Sequence, residues 1–107
     1  MSFTATLSHN GRTALITLEG ELDALTAPMF RDEVERAAEA SDVNQLVLDM
    51  TKLAYLSSAG LRGLVFARQK MPDEVQIVLV RPNDAVEQSI RLVGFHQSVV
   101  ISRQVPD

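Results

Sequence analysis

No cysteine occurs among the 107 residues. That removes disulfides, iron–sulfur clusters, thiolate zinc sites and thiol catalysis together, and suits a reducing compartment such as the cytoplasm. A basic surplus is missing too: 10 Lys+Arg stand against 14 Asp+Glu, for a net charge of -4. A mildly acidic chain is a poor match for nucleic acid, whose phosphates demand a basic face. Apolar runs end after a handful of residues, far short of the ~20 that a membrane-spanning helix needs. The opening Met1-Ser2-Phe3-Thr4-Ala5-Thr6 has no basic region followed by an apolar stretch, so no signal peptide is read there. What remains is 46% hydrophobic and 22% charged, the profile of a globular chain. A chain of this length buries roughly two thirds of its unfolded surface and folds without staples, here as one domain over 1–107.

Periodicity sets out the elements. Phe3, Ala5 and Leu7 alternate with Thr4, Thr6 and Ser8, the two-residue period of a half-buried strand. Asn10-Gly11 is a strong turn signal, and Thr13 to Leu18 reads as the returning strand, ending at Glu19-Gly20-Glu21. Thr26 as cap and Pro28 in the first turn start a helix. Its inner face is Phe30, Val34, Ala37 and Ala38, with Arg31, Asp32, Glu35, Arg36 and Glu39 on the other faces, and it stops near Ser41-Asp42. Leu46-Val47-Leu48, ending at Asp49, reads as a buried strand. A short link leads to a second helix reaching about Lys70, with Leu61, Leu64 and Val65 as its apolar seam, widened by Phe66 and Ala67; Pro72 ends it. Ile77 to Val80 is another buried strand. Asp84-Ala85-Val86-Glu87 has the form of a capping box for a third helix with Val86, Ile90 and Val93 inward and Gly94 closing it. Ser98 to Ser102 reads as a last strand. The order ββαβαβαβ predicts an α/β fold: a mixed sheet with an N-terminal antiparallel hairpin and helices packed against it.

Asp49 to Gly63 is the stretch that can carry chemistry. A strand runs into a loop, and the loop ends in Ser57 and Ser58 at a helix start. Ser58 is the better cap candidate, with Ala59, Gly60 and Leu61 in the first turn. Free amides and the helix dipole make such a place tolerant of an anion, including a phosphoryl group on the serine itself. Gly60 would keep that turn bare for an approaching partner. A Ser at this position also serves simply as a cap. Asp23, after the second strand and in the loop before the first helix, reads as a turn or pre-cap residue. Asp49 is placed to accept hydrogen bonds from amides around Thr51 and Lys52. Arg62 and Arg68 on the second helix suit an acidic partner or plain solvent.

Three pieces together, Glu19-Gly20-Glu21-Leu22-Asp23, Leu46-Val47-Leu48-Asp49-Met50-Thr51 and Tyr55-Leu56-Ser57-Ser58-Ala59-Gly60-Leu61, resemble the STAS domain of bacterial anti-sigma factor antagonists. The resemblance extends over nearly the whole chain, down to Leu92-Val93-Gly94-Phe95. It implies a cytoplasmic, non-catalytic regulator, monomeric until it forms a heterocomplex. Unphosphorylated, such a domain binds an anti-sigma factor that is also an ATP-dependent serine kinase, and so frees the sigma factor. Phosphorylation by that kinase switches it off, and a protein phosphatase restores it. ATP belongs to the kinase; the chain itself needs no metal or cofactor. By position the acceptor is Ser58, and the partner-binding residues are Asp23, Ser57, Ser58, Gly60, Leu61 and Arg62; the resemblance implies that the Asp23 loop shares a face with Ser58, where Asp23 contacts the partner or orients the serine. Family members often carry Asp-Ser-Ser-Gly where this chain has Ser57-Ser58-Ala59-Gly60, which makes Ser57 a second candidate acceptor.

Two other readings compete. Leu56-Ser57-Ser58-Ala59-Gly60 is half of a G-x-S-x-G nucleophile elbow. A serine nucleophile needs a base, and the chain's His9 and His96 both read as surface residues. No G-x-x-x-x-G-K-[ST] loop exists to support phosphoryl chemistry by this chain. The remaining reading is a STAS scaffold that does not switch, in a signalling complex or as an accessory module of a lipid-transport system.

Overall fold

The computed structural model describes residues 3–106. Strand β1 (Thr4–Asn10) and strand β2 (Thr13–Leu22) form the antiparallel hairpin, in register from Thr4 opposite Glu19 to Asn10 opposite Thr13. The two residues at the turn are therefore Gly11 and Arg12, one place later than Asn10-Gly11. Only Gly11 carries a positive φ, 61°, the pattern of a two-residue turn with glycine at its first central position.

Helix α1 (Ala27–Glu39), strand β3 (Gln45–Leu56), helix α2 (Ser58–Lys70), strand β4 (Gln76–Val80), helix α3 (Asp84–Leu92) and strand β5 (Val100–Ser102) complete the expected ββαβαβαβ order, with a 3-10 turn at Phe95–Gln97 before β5. The sheet runs β1-β2-β3-β4-β5, and every pair after the hairpin is parallel. Ile16 lies beside Leu48, Leu48 beside Leu79, and Leu79 beside Ile101. The inward set Ala14, Ile16, Leu18, Leu46, Leu48, Ile77 and Leu79 merges with Phe30, Val34 and Ala37 of α1, Leu64 and Ala67 of α2, and Val86 and Ile90 of α3 into one buried cluster. The opposite face of the sheet supplies only strand residues, with Val47, Val78 and Val80 beside Leu15. The helices therefore cover one face, as a sheet with crossovers of a single hand requires.

Strands β2 and β3 run further than the sequence suggests, and this extension carries the site. Neither β2 stops at Leu18 nor β3 at Asp49; the pair continues to Leu22 beside Leu56. Register shifts between Thr17 and Glu19 and between Gly20 and Glu21 each insert an extra residue into β3. The inward residues of this stretch, Met50, Leu53 and Leu56, are consequently spaced by three rather than two. Asp49 Oδ1 holds the first bulge by accepting the Thr51 amide at 3.0 Å and the Thr51 hydroxyl at 2.6 Å.

Three helix details differ from expectation. Asn83, not Asp84, caps α3: its Oδ1 accepts from Val86 N at 2.9 Å while its Nδ2 donates to Leu53 O at 3.2 Å. Val93 is 60% exposed, because α3 ends at Leu92 and Gly94, at φ 78°, swings Phe95 into the core instead. Val65 is also exposed. The seam of α2 is Gly60, Gly63, Leu64 and Ala67, with Leu61 and Phe66 partly buried against the same core.

Candidate functional site

Backbone bonds join the far ends of β2 and β3. Leu22 O accepts the amide of Ser57 at 3.0 Å, so the chain leaves β3 and enters α2 directly, without a loop. Ser57 is extended, with φ -87° and ψ 176°, and its Oγ accepts the Gly60 amide at 3.2 Å. Its carbonyl accepts from Leu61 N at 2.9 Å. Ser57 is therefore the cap and Ser58 the first helical residue, the reverse of the order read from sequence. The two hydroxyls end up in different surroundings. That of Ser57 is partly buried and engaged. Ser58 is exposed, and its hydroxyl has no hydrogen bond among the described residues. The amides of Ser58 and Ala59 open the helix without an intrahelical acceptor, at the positive end of its dipole.

Gly60 does not keep the surface bare. It is buried, and a Cβ there would lie 2.5 Å from Leu22 O and 2.7 Å from Leu56 Cδ1. Its missing side chain lets α2 sit down on the ends of β2 and β3, which fixes where Ser58 emerges. Leu61 is half-buried against the core, and Arg62 is exposed.

Asp23 builds the adjoining turn. Its Oδ1 accepts from Leu25 N at 3.0 Å and from Thr26 N at 3.1 Å, while its own amide donates to Thr26 Oγ1 at 2.9 Å. The Thr26 hydroxyl lies 2.8 Å from Glu21 O, and Ala27 N donates to Asp23 O at 2.8 Å. Thr26 thus points backward and makes no side-chain cap; Asp23 does the capping, one turn ahead of α1. No hydrogen bond links Asp23 to either serine among the described residues, so it orients a turn and not a hydroxyl. That turn displays Leu25, which is 88% exposed.

Leu25, Met29 at 46% exposure and Tyr55 at 52% all lie at the end of the sheet where Ser58 emerges. Tyr55 stands two residues before the cap. Leu25 and Met29 escaped the sequence reading; the available signal was two apolar residues, just past a strand end, that do not fit the inward spacing of Phe30 and Val34. Arg31, read as solvent-facing, is partly buried with its guanidinium 5.7 Å from the Phe66 ring centre, tying α1 to α2.

Arg68 is committed to the end of its own helix, donating from Nη2 to Pro72 O at 2.7 Å. His9 is exposed, as expected. His96 is instead partly buried, its Nδ1 without a partner among the described residues. No hydrogen bond among those residues joins either histidine to a serine, so the nucleophile–base pair of a hydrolase is not assembled. No group of three or more metal-ligating side chains occurs among them either. No helix there is long and apolar enough to cross a membrane.

The one-sided α/β fold recurs in known proteins. The structure of an anti-sigma factor antagonist from Mycobacterium paratuberculosis superposes with a TM-score of 0.88, at 23% identity, over 97% of this chain and 88% of that one. SpoIIAA, an anti-sigma factor antagonist, superposes in its unphosphorylated form (TM-score 0.71, 17% identity, 98% and 90% of the two chains). Its phosphorylated form, from Bacillus, does so equally well (TM-score 0.72, 16% identity, 96% and 93%). In sequence, the anti-sigma-F factor antagonist RsfB of Mycobacterium tuberculosis is 25% identical over 97 residues, covering 91% of this chain and 79% of RsfB. The STAS domain family model matches residues 4–107, and the chain belongs to that family.

Proposed function

We propose that this STAS domain is an anti-sigma factor antagonist switched by phosphorylation of Ser58. The observation that carries this reading is the division of labour between the serines: Ser57 is occupied as a cap, and Ser58 offers a free, exposed hydroxyl at the first helical position. An anti-sigma factor that is also a kinase would bind the bare form through Leu25, Met29, Tyr55 and Arg62, around the turn held by Asp23. Binding withdraws the anti-sigma factor from its sigma factor. The same kinase then transfers the γ-phosphoryl group of its ATP to Ser58 Oγ; the new O–P bond replaces the bond to ADP, and the hydroxyl proton leaves to a kinase base. A phosphatase returns the hydroxyl by hydrolysis of the phosphoserine. The setting is the cytoplasm, and the chain is a monomer between complexes.

The physics of the switch is local. A phosphoryl group brings about -1.5 to -2 charges. At the mouth of α2 it meets free amides and the positive helix end, so its own domain accommodates it. A docking partner meets a hydrated dianion amid exposed apolar side chains and must strip its water. A few kcal/mol lost in this way weakens binding by orders of magnitude.

The test is to incubate the chain with its cognate anti-sigma kinase and ATP and read the intact mass. One added phosphoryl group, absent in Ser58→Ala and present in Ser57→Ala, supports the assignment. A group that survives Ser58→Ala moves the acceptor elsewhere. Equal kinase binding by Ser58→Ala and Ser58→Asp would favour a scaffold without a switch.

A further inference from the structure

The carboxyl ends of β4 and β5 hold a cluster of cations that the serine switch leaves unused. Arg81 follows β4, Arg103 follows β5, and Arg91 sits in the last turn of α3. With Glu87, Ile101 and Ser102 they line a recess of about 230 Å³. Lys+Arg number only 10 against 14 acidic residues, so three arginines around one small recess are a marked concentration in an acidic chain.

The arrangement is anchored. Arg81 has φ 52°, a left-handed conformation uncommon for a side chain of this size, and it precedes Pro82, which narrows its choices further. Two bonds hold it there: its amide donates to Ser102 O at 2.9 Å, and its Nε donates to Arg103 O at 2.6 Å. One edge of the guanidinium is thus fixed, and both terminal nitrogens remain for another acceptor. Arg103 makes no side-chain hydrogen bond or ion pair among the described residues. Arg91 is held by Glu87 at 2.9 Å, so the carboxylate of the recess is already neutralised. Asp84 stands at the neighbouring surface beside Arg103 and bounds the anionic reach of the site.

The recess is separate from Ser58. Strand β3 pairs with β4 only as far as Asp49 beside Val80, and then runs on to Leu56. Over the same span β2 advances from Thr17 to Leu22, so at about 3.3 Å per residue Ser58 lies roughly 15 Å further along the strand direction.

We propose that this recess binds a small phosphorylated anion, inorganic phosphate or a compact phosphate monoester, gripped by the guanidinium groups of Arg81 and Arg103. Paired planar guanidiniums suit the bidentate geometry of phosphate oxygens. The lining is mostly charged and polar, with Pro82 and Ile101 as its apolar members, which favours a compact anion held by charge and hydrogen bonds.

The experiment is an amide NMR titration of the full chain at constant ionic strength with inorganic phosphate and, separately, with glycerol phosphate. Saturable shifts centred on residues 81–83 and 102–104, with a Kd of about 1 mM or tighter, are expected. A tighter Kd for glycerol phosphate identifies the monoester, and a tighter Kd for inorganic phosphate identifies the free ion. Arg81→Gly suits the positive φ and keeps the fold, yet should weaken binding at least tenfold, as should Arg103→Ala. Arg36→Ala, remote and on α1, should leave it unchanged. Shifts that do not saturate by about 10 mM, or that persist in Arg81→Gly, would overturn the proposal. So would equal weakening by Arg36→Ala, which would mean general charge attraction only.

Discussion

Ser57 Oγ accepts the amide of Gly60 at 3.2 Å, and this bond separates two adjacent serines into a structural hydroxyl and a free one. Ser57→Ala should therefore cost about 1 kcal/mol of stability, the usual worth of a serine cap. For a domain of this size that lowers Tm by roughly 4–8 °C. Ser58→Ala removes no bond within the domain and should stay within about 0.5 kcal/mol of the parent. Thermal melts of both variants check the pair; a larger loss for Ser58→Ala would reverse the roles.

Gly60 and Gly63 make a second contrast. Both lie in α2, where Ala for Gly gains about 1 kcal/mol of helix propensity. At Gly60 a Cβ meets the backbone oxygen of Leu22 at 2.5 Å, which cannot yield without moving β2. Overpacking of this kind costs about 1–3 kcal/mol, so Gly60→Ala should be net destabilising. At Gly63 the nearest atom is the Phe30 ring edge at 3.3 Å, a contact that a small tilt relieves. Urea unfolding should place Gly63→Ala near the parent and Gly60→Ala clearly below it.

The Asp23 turn separates stability from binding. Asp23→Ala frees the amides of Leu25 and Thr26 and should cost about 1–2 kcal/mol by denaturation. Leu25 buries almost nothing in the free domain, so Leu25→Ala should leave unfolding unchanged. The same variant should weaken binding to the anti-sigma partner about tenfold, as loss of an interface anchor worth some 1.4 kcal/mol would. Calorimetric binding together with a melt checks both halves.

Phe30 is fully buried at the α1–α2 contact. Phe30→Ala should cost about 3–5 kcal/mol by denaturant unfolding. Against a usual total of about 5–15 kcal/mol this is a large share of the stability, so the unfolding midpoint should fall sharply.

The element order and the core were legible because the apolar spacing keeps a clean period in most segments: Ala14, Ile16 and Leu18 by twos, Phe30, Val34 and Ala37 by threes and fours. The extension of β3 was not legible, since two bulges space Met50, Leu53 and Leu56 by three, which mimics neither a strand nor a loop. The caps of α2 and α3 each fell one residue earlier than read. Ser57-Ser58 offers two equivalent residues, and Asp84-Ala85-Val86-Glu87 imitates a capping box beside the true cap, Asn83. The inward role of Gly60 depends on Leu22 and Leu56, distant in sequence, and so does the Arg81–Arg103 contact. Neither leaves a local pattern.

The most direct test is the affinity of one anti-sigma kinase for the bare chain and for the chain phosphorylated at Ser58, measured beside their melting temperatures. A phosphoryl group that acts only at the docking surface should weaken binding at least about a hundredfold, near 3 kcal/mol, while Tm shifts by no more than a few degrees. Equal affinities, or a phosphorylated chain that binds poorly because it has unfolded, would contradict the account.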